Sequence, residues 1–316
     1  MKSTLLKWWL RLPTAVTPKL RTAAWASFVS QVLIIATGGA VRLTSSGLGC
    51  PTWPLCTPDS LVTTPEMGFH GIIEFGNRTL TGLVGVLALI VFLMVVRFRK
   101  QRPDLCLISY TVLLGVVAQA IVGGITVITG LNPFIVGFHY LASTAIVCLC
   151  AAFLVRLKYA GALDQPVPAP RGFKRALIGL SAITGVVLIL GVLTTGAGPH
   201  SGDAMAGRNG FDAVFLQHVH AWPSYLLMAL TFALMLFGYT KKHPLRGWLL
   251  TLLCVQGVQA LLGIYQARNG LPELVVGVHM VLASLLAATT TVIMVRTFTA
   301  ALSEDIDEPA PLQADR

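Results

Sequence analysis

Ionic side chains are scarce in this chain. Asp, Glu, Lys and Arg make up 11% of its 316 residues and only 13 residues are acidic, against 55% hydrophobic residues and a mean hydropathy of +0.75. That balance leaves no stretch with the makeup of a soluble domain and matches a polytopic membrane protein. No CxxC pair occurs, so the common thiolate metal motif is missing. The Gly-rich stretches GGAVRLTSSGLGCP and TGAGPHSGDAMAG precede no GKS or GKT and follow no strand, which excludes a phosphate loop. Their plainer role is close approach of helix ends at the outer face, with room left for a large planar ligand.

What is present is a series of apolar runs. Segments of ~20 residues, enough to cross a ~30 Å hydrocarbon layer, fall at 24–43, 70–96, 105–129, 133–156, 174–197, 213–240, 246–267 and 272–298. They predict an all-α integral membrane protein of eight transmembrane helices. The net charge of +10 raises the question of nucleic acid, but the cations fall in alternate loops. Lys2, Lys7, Arg11, Lys19 and Arg21 precede the first run, and Arg97, Arg99, Lys100 and Arg102 follow the second. Arg156, Lys158, Arg171, Lys174 and Arg175 follow the fourth, and Lys241, Lys242 and Arg246 the sixth. Alternation of this kind argues for membrane lipid as the environment, with no nucleic-acid partner, and places both termini in the cytoplasm. The first run is long and lacks a small-residue cleavage site, so it reads as a retained helix rather than a signal peptide. The acidic segment 299–316 reads as a disordered tail.

The chain also repeats itself. Gln119 aligns with Gln259, Gly123 with Gly263, Gly130 with Gly270 and His139 with His279, an offset of 140 residues without a gap. A similar offset carried backwards sets EFGNR on QHVHA, so Glu74 matches Gln217 and Asn77 matches His220. Two four-helix bundles of the same orientation follow, related by a pseudo-two-fold axis along the membrane normal. The expected division is 1–158 for the first half, 159–173 for a Pro- and Ala-rich cytoplasmic linker, and 174–298 for the second half.

Asn77, His139, His220 and His279 each lie about two turns from the outer end of an even-numbered helix, ~10 Å below the surface. An imidazole inside a span is costly and faces a partner in the bundle. One such residue is explained by an interhelical hydrogen bond. Recurrence at one depth points instead to a flat macrocycle held edge-on through axial imidazoles. His220 and His279 form a candidate bis-imidazole pair; His218, two residues from His220, points some 200° away and is the rival. The first half pairs His139 with Asn77, a poor iron ligand. It carries instead a stripe of His70, Glu74 and Asn77 at helical spacing, expected to point towards His139. Glu74 has no acidic counterpart in the second half, so it marks the first half as the place of chemistry, moving protons or stabilising positive charge. Its alternative is a structural ion pair with Arg78 or Arg42.

CPTWPLC places Cys50 and Cys56 in the first outer loop, on the oxidising side of a bacterial membrane. Their spacing allows a small disulfide ring, either a staple or an exposed, reducible relay. Cys106, Cys148, Cys150 and Cys254 sit in apolar runs as packing residues. His200 reads as a loop residue, with a polar contact near the site as its alternative.

GGAVRLTSSGLGCPTWPLC, IEFGNR, TGLNPFIVGFH, TGAGPHSGD and the final VGVH, in this order across roughly residues 25–298, resemble the haem A synthase family. The resemblance implies a bacterial cell-membrane oxidoreductase that oxidises the C8 methyl of haem O to a formyl group, giving haem A for haem-copper terminal oxidases. It implies a haem b cofactor in the second half, ligated by His220 and His279, and substrate haem O in the first half, ligated by His139. Glu74 matches the acid of the family's ExxHR motif, and Cys50 and Cys56 match its outer-loop cysteine pair. Asn77 departs from that motif, leaving substrate haem with His139 alone or with contacts from Asn77 and His70. Implied partners are haem O, an external electron donor and haem O synthase. Two other readings fit the same composition: a di-haem cytochrome b taking electrons from quinol, with Glu74 as its proton acceptor, and a repeat-built solute transporter. The transporter would need helices broken at mid-membrane.

Overall fold

The computed structural model describes residues 9–158 and 167–298. The expected acidic tail and most of the expected linker lie outside the described residues. Eight long helices carry the chain: α1 (Pro18–Leu43), α2 (Gly68–Val95), α3 (Pro103–Ile128), α4 (Pro133–Lys158), α5 (Arg171–Ala197), α6 (Ala213–Thr240), α7 (Arg246–Arg268) and α8 (Glu273–Phe298). All eight are long and apolar enough to span a bilayer, which makes this a multi-pass all-α membrane protein. Large side chains such as Leu261, 71% exposed, face outward where lipid covers them.

Helix starts follow local chemistry. The Thr17 hydroxyl accepts from Leu20 N and Pro18 opens α1, so this helix begins six residues before the apolar run that marked it in the sequence. Asp212 caps α6 through Phe215 N at 2.6 Å. Arg171 opens α5 inside the segment 159–173 expected to be linker. The repeat is visible in the turns as well. α3 ends with Gly130 (φ 60°) and Leu131 (φ 59°), and α7 ends with Gly270 (φ 70°) and Leu271 (φ 58°). In each turn the leucine N–H closes back on the helix, Leu131 to Thr126 O at 2.8 Å and Leu271 to Gln266 O at 2.9 Å. Two bulky left-handed leucines at matching positions are a costly arrangement that chance does not repeat.

Within each half, consecutive helices pack on one another and the first also meets the fourth; α4 lies on α8 across the seam, and α1 meets α8 as α5 meets α4. Exchanging the halves leaves this neighbour pattern unchanged, as a two-fold axis requires. The tightest apolar packing sits at one end of both halves. Leu20, Val95, Phe98, Leu105 and Leu157 fill it in the first, and Leu177, Leu180, Leu245, Leu249, Leu252 and Ile293 in the second. In lipid these clusters are held by dispersion and close fit rather than by expulsion of water. At the same end of the first half, Asp104 accepts from Arg102 and from Arg156, tying α3 to α4. With the helices bound there, space is left between their opposite halves.

Candidate functional site

That space is a cavity of about 570 Å³, lined by Asn77, His139, His220 and His279 together. The sequence pointed to two sites side by side; the structure joins them in one cavity that crosses the seam. Gly38 and Gly39 of α1 lie along its wall, where side chains would divide the space.

Each imidazole stands where a glycine of a neighbouring helix lets it in. The His220 ring lies against Gly191 of α5, where an added Cβ would come 3.0 Å from Cε1. His139 faces Gly123 of α3 and His279 faces Gly263 of α7, at 3.4 and 3.5 Å on the same measure. The His220 Nδ1–H donates to Val187 O at 3.1 Å, which fixes the tautomer and leaves the other ring nitrogen free to ligate. Behind the other two rings the halves repeat each other: Gln119 Nε2 donates to His139 O at 3.0 Å and Gln259 Nε2 to His279 O at 3.1 Å. Nδ1 of His139 and of His279, and Oε1 of both glutamines, are buried without hydrogen-bond partners among the described residues. Orphaned polar atoms clustered in one place mark a site kept for something other than stability. Tyr140, next to His139, donates to Met280 O at 2.7 Å, next to His279, and so stitches the halves together.

The rings of His220 and His279 stand with centroids 6.4 Å apart and planes at 74°. Two metal–imidazole bonds of roughly 2 Å each, with part of each ring on either side, span about 6 Å, so the separation of the two rings is of the size that a shared metal would need. His218 is exposed and its Nδ1–H bonds Val214 O of its own helix, so α6 turns it away from the cavity. No cluster of three or more His, Cys, Asp or Glu that could hold a metal occurs among the described residues. A metal held by this pair would bring further ligands of its own, as a porphyrin does.

The first half departs from expectation. Asn77 lines the same cavity as His139, with its Oδ1 accepting from Thr37 at 2.7 Å, but the stripe His70, Glu74, Asn77 does not act as one face. His70 is exposed and is not among the residues that line the cavity; its Nδ1 is bonded to Ser46 Oγ at 2.9 Å. Glu74 is 4% exposed and turns its carboxylate to the outer loop. Its Oε2 accepts from Cys50 N at 2.7 Å and its Oε1 from Arg78. Arg78 in turn donates to Cys50 O and Thr52 O at 2.8 and 2.9 Å and to Leu55 O at 3.2 Å. The physical reason is the fold of the loop. Gly49 lies so close to α2 that a Cβ would meet His70 O at 2.4 Å, and the backbone after it covers the outer turns of that helix. Arg42, the other partner open to Glu74, points across the seam instead and donates to His200 O.

Cys50 and Cys56 are joined in a disulfide, and both are fully buried. Of the two readings open in the sequence, a staple or an exposed relay, the burial of both sulfurs matches the staple, enclosed by the Glu74–Arg78 pair. Trp53 of the same loop rests on Gly124 of α3, next to the glycine facing His139. Of the other cysteines Cys150 is buried, whereas Cys254 is exposed on the outer surface of α7 rather than packed. His200 stays in its loop, with its Nε2–H donating to Leu271 O at 2.8 Å, and also lines the cavity.

Comparison with known proteins bears on this arrangement. Residues 21–201 match the family model COX15-CtaA, cytochrome oxidase assembly protein. Three relatives are each named heme A synthase. The protein from Exiguobacterium sibiricum is 28% identical over 180 residues, 56% of this chain and 59% of the relative. That from Symbiobacterium thermophilum is 26% identical over 196 residues, 59% and 61%; that from Lysinibacillus sphaericus is 34% identical over 125 residues, 38% and 39%. The chain thus spans at most about three fifths of the length of these relatives.

Proposed function

Because the chain belongs to the COX15-CtaA family of cytochrome oxidase assembly proteins, we propose that it is a haem A synthase, oxidising the C8 methyl of haem O to the formyl group of haem A. The observation that carries this reading is the His220–His279 pair, two imidazoles from facing helices at the separation that brackets one iron, beside a cavity shared with a third imidazole. Haem b held there supplies one-electron redox chemistry. The chain's own part is to orient His220 through Val187 O and to brace His279 through Gln259.

The first half takes the substrate. His139 would hold haem O, and Asn77, which lines the same cavity, would supply no second imidazole. The second half would hold its porphyrin through His220 and His279, the first through His139 alone. Glu74 is the acid of the substrate half. With both carboxylate oxygens engaged by Cys50 N–H and Arg78, it positions the disulfide loop beside the bound substrate. Both termini face the cytoplasm of a bacterial cell, which puts this loop and the mouth of the cavity on the outer side.

Absorption spectra and haem extraction from purified protein test the proposal together. A low-spin six-coordinate spectrum, with formyl-bearing haem A appearing in membranes only when the chain is expressed, is the expected result. A colourless protein, or haem b without haem A, sinks it; the latter is the signature of a simple electron carrier.

A further inference from the structure

The proposed reading leaves one cation on the cavity wall without a counter-charge. Arg42, the penultimate residue of α1, lines the cavity. Its Nε donates to His200 O at 2.6 Å and its Nη2 to Thr195 O at 2.9 Å, both neutral carbonyls. Among the described residues Arg42 forms no ion pair. The same loop carries Arg208, close enough for its charge to act on Arg42, and its guanidinium donates to Pro199 O and Ala206 O. The nearest acids in sequence are committed elsewhere, Asp203 to Met205 N and Asp212 to Phe215 N. Carbonyls satisfy the donors of a guanidinium but not its charge, and a partly buried charge without a partner is costly. A carboxylate is the group the planar fork of an arginine matches best.

Position says whose carboxylate it is. Thr195 lies one turn, ~6 Å, outward along α5 from Gly191, the residue against which the His220 ring rests. The guanidinium therefore stands about one turn along α5 from the level at which His220 meets that helix, on the wall of the same cavity. The rim there is braced from both sides, by His200 Nε2–H on Leu271 O and by Gly47 N–H on Gly202 O at 2.7 Å. The acceptors that hold Arg42 are thus fixed before any ligand arrives.

We infer that Arg42 is a carboxylate subsite of the His220–His279 site, receiving an acid side chain from the outward edge of the porphyrin gripped there. The subsite rests on the proposed haem function. It orients the macrocycle with its acid edge towards the outer face, and its cost in the empty protein is offset when the anion binds.

The test is titration of apoprotein, made in haem-deficient cells, with iron protoporphyrin IX and with its dimethyl ester. The low-spin bis-imidazole signal is followed, because it reports only the site with two imidazoles. Unaltered protein is expected to prefer the diacid. Arg42→Met is expected to weaken the diacid by about tenfold, or about 1.4 kcal/mol, while binding the ester as before. Arg42→Lys is expected to recover part of the preference. Unchanged preference in Arg42→Met overturns the subsite, and so does equal loss of both ligands, which would make Arg42 a brace of the rim alone. If unaltered protein gives no low-spin signal with either ligand, the haem reading itself fails and takes the subsite with it.

Discussion

The His220 imidazole is held by one carbonyl behind it and by one missing Cβ beside it, and both supports can be tested singly. Changing His220 or His279 to Ala is expected to abolish the six-coordinate low-spin spectrum and most tightly held haem b, because His218 points away and replaces neither. Gly191→Ala sets a methyl about 3.0 Å from the ring and must displace it, an overpacking cost of ~1–3 kcal/mol. Gly263→Ala meets His279 at ordinary contact distance, 3.5 Å, and is expected to bind haem much as the unaltered protein does. Equal behaviour of the two glycine variants in a haem titration would show that close approach at Gly191 is not what seats the ring. Asn77→His is expected to add a second low-spin signal on loading with haem, since it supplies the imidazole the first half lacks. At this scale the sequence was legible where it repeated itself. His220 was preferred to His218 by its match to Asn77, and α6 turns the two residues as helical spacing requires. The Thr37 contact of Asn77 and the orphaned glutamine oxygens were not legible, because they depend on the rotation of one helix against another.

The element that departs most from expectation is the loop between α1 and α2. Helical spacing put Glu74, His70 and Asn77 on one face of α2, and that much is geometry of a single helix. What the face meets is decided by the loop that folds onto it, with Gly49 against His70 O and Trp53 against Gly124. Glu74 and Arg78 then become a clamp on Cys50, Thr52 and Leu55. Glu74→Ala is expected to keep the haem b spectrum while lowering turnover at least about tenfold, equivalent to ~1.4 kcal/mol of barrier. Arg78→Gln is expected to act in the same direction through the same loop. Both variants should also expose Cys50 and Cys56 to reductant and alkylation faster than the unaltered chain. If alkylation rates stayed unchanged while turnover fell, the acid would be acting on substrate directly rather than through the loop.

For the whole molecule, binding across the cavity couples occupancy to stability, since a ligand held by both α6 and α8 binds only the folded chain. At a free haem concentration about 100 times the Kd, loading is expected to stabilise the fold by about 2.7 kcal/mol, read as a rise in the thermal midpoint that His220→Ala or His279→Ala removes. Eight helices and their apolar runs were legible in the chain alone, and so was the internal repeat, because bilayer thickness, helical rise and an internal alignment need no tertiary contact to be read. The single cavity across the seam, the turning of Glu74 from substrate to loop, the burial of the disulfide and the stranded charge of Arg42 were decided only by the packed structure. Each depends on which residues far apart in sequence meet, and the close approach of the loop backbone to α2 at Gly49 and of the His220 ring to Gly191 is a property of the assembled bundle that no local pattern encodes.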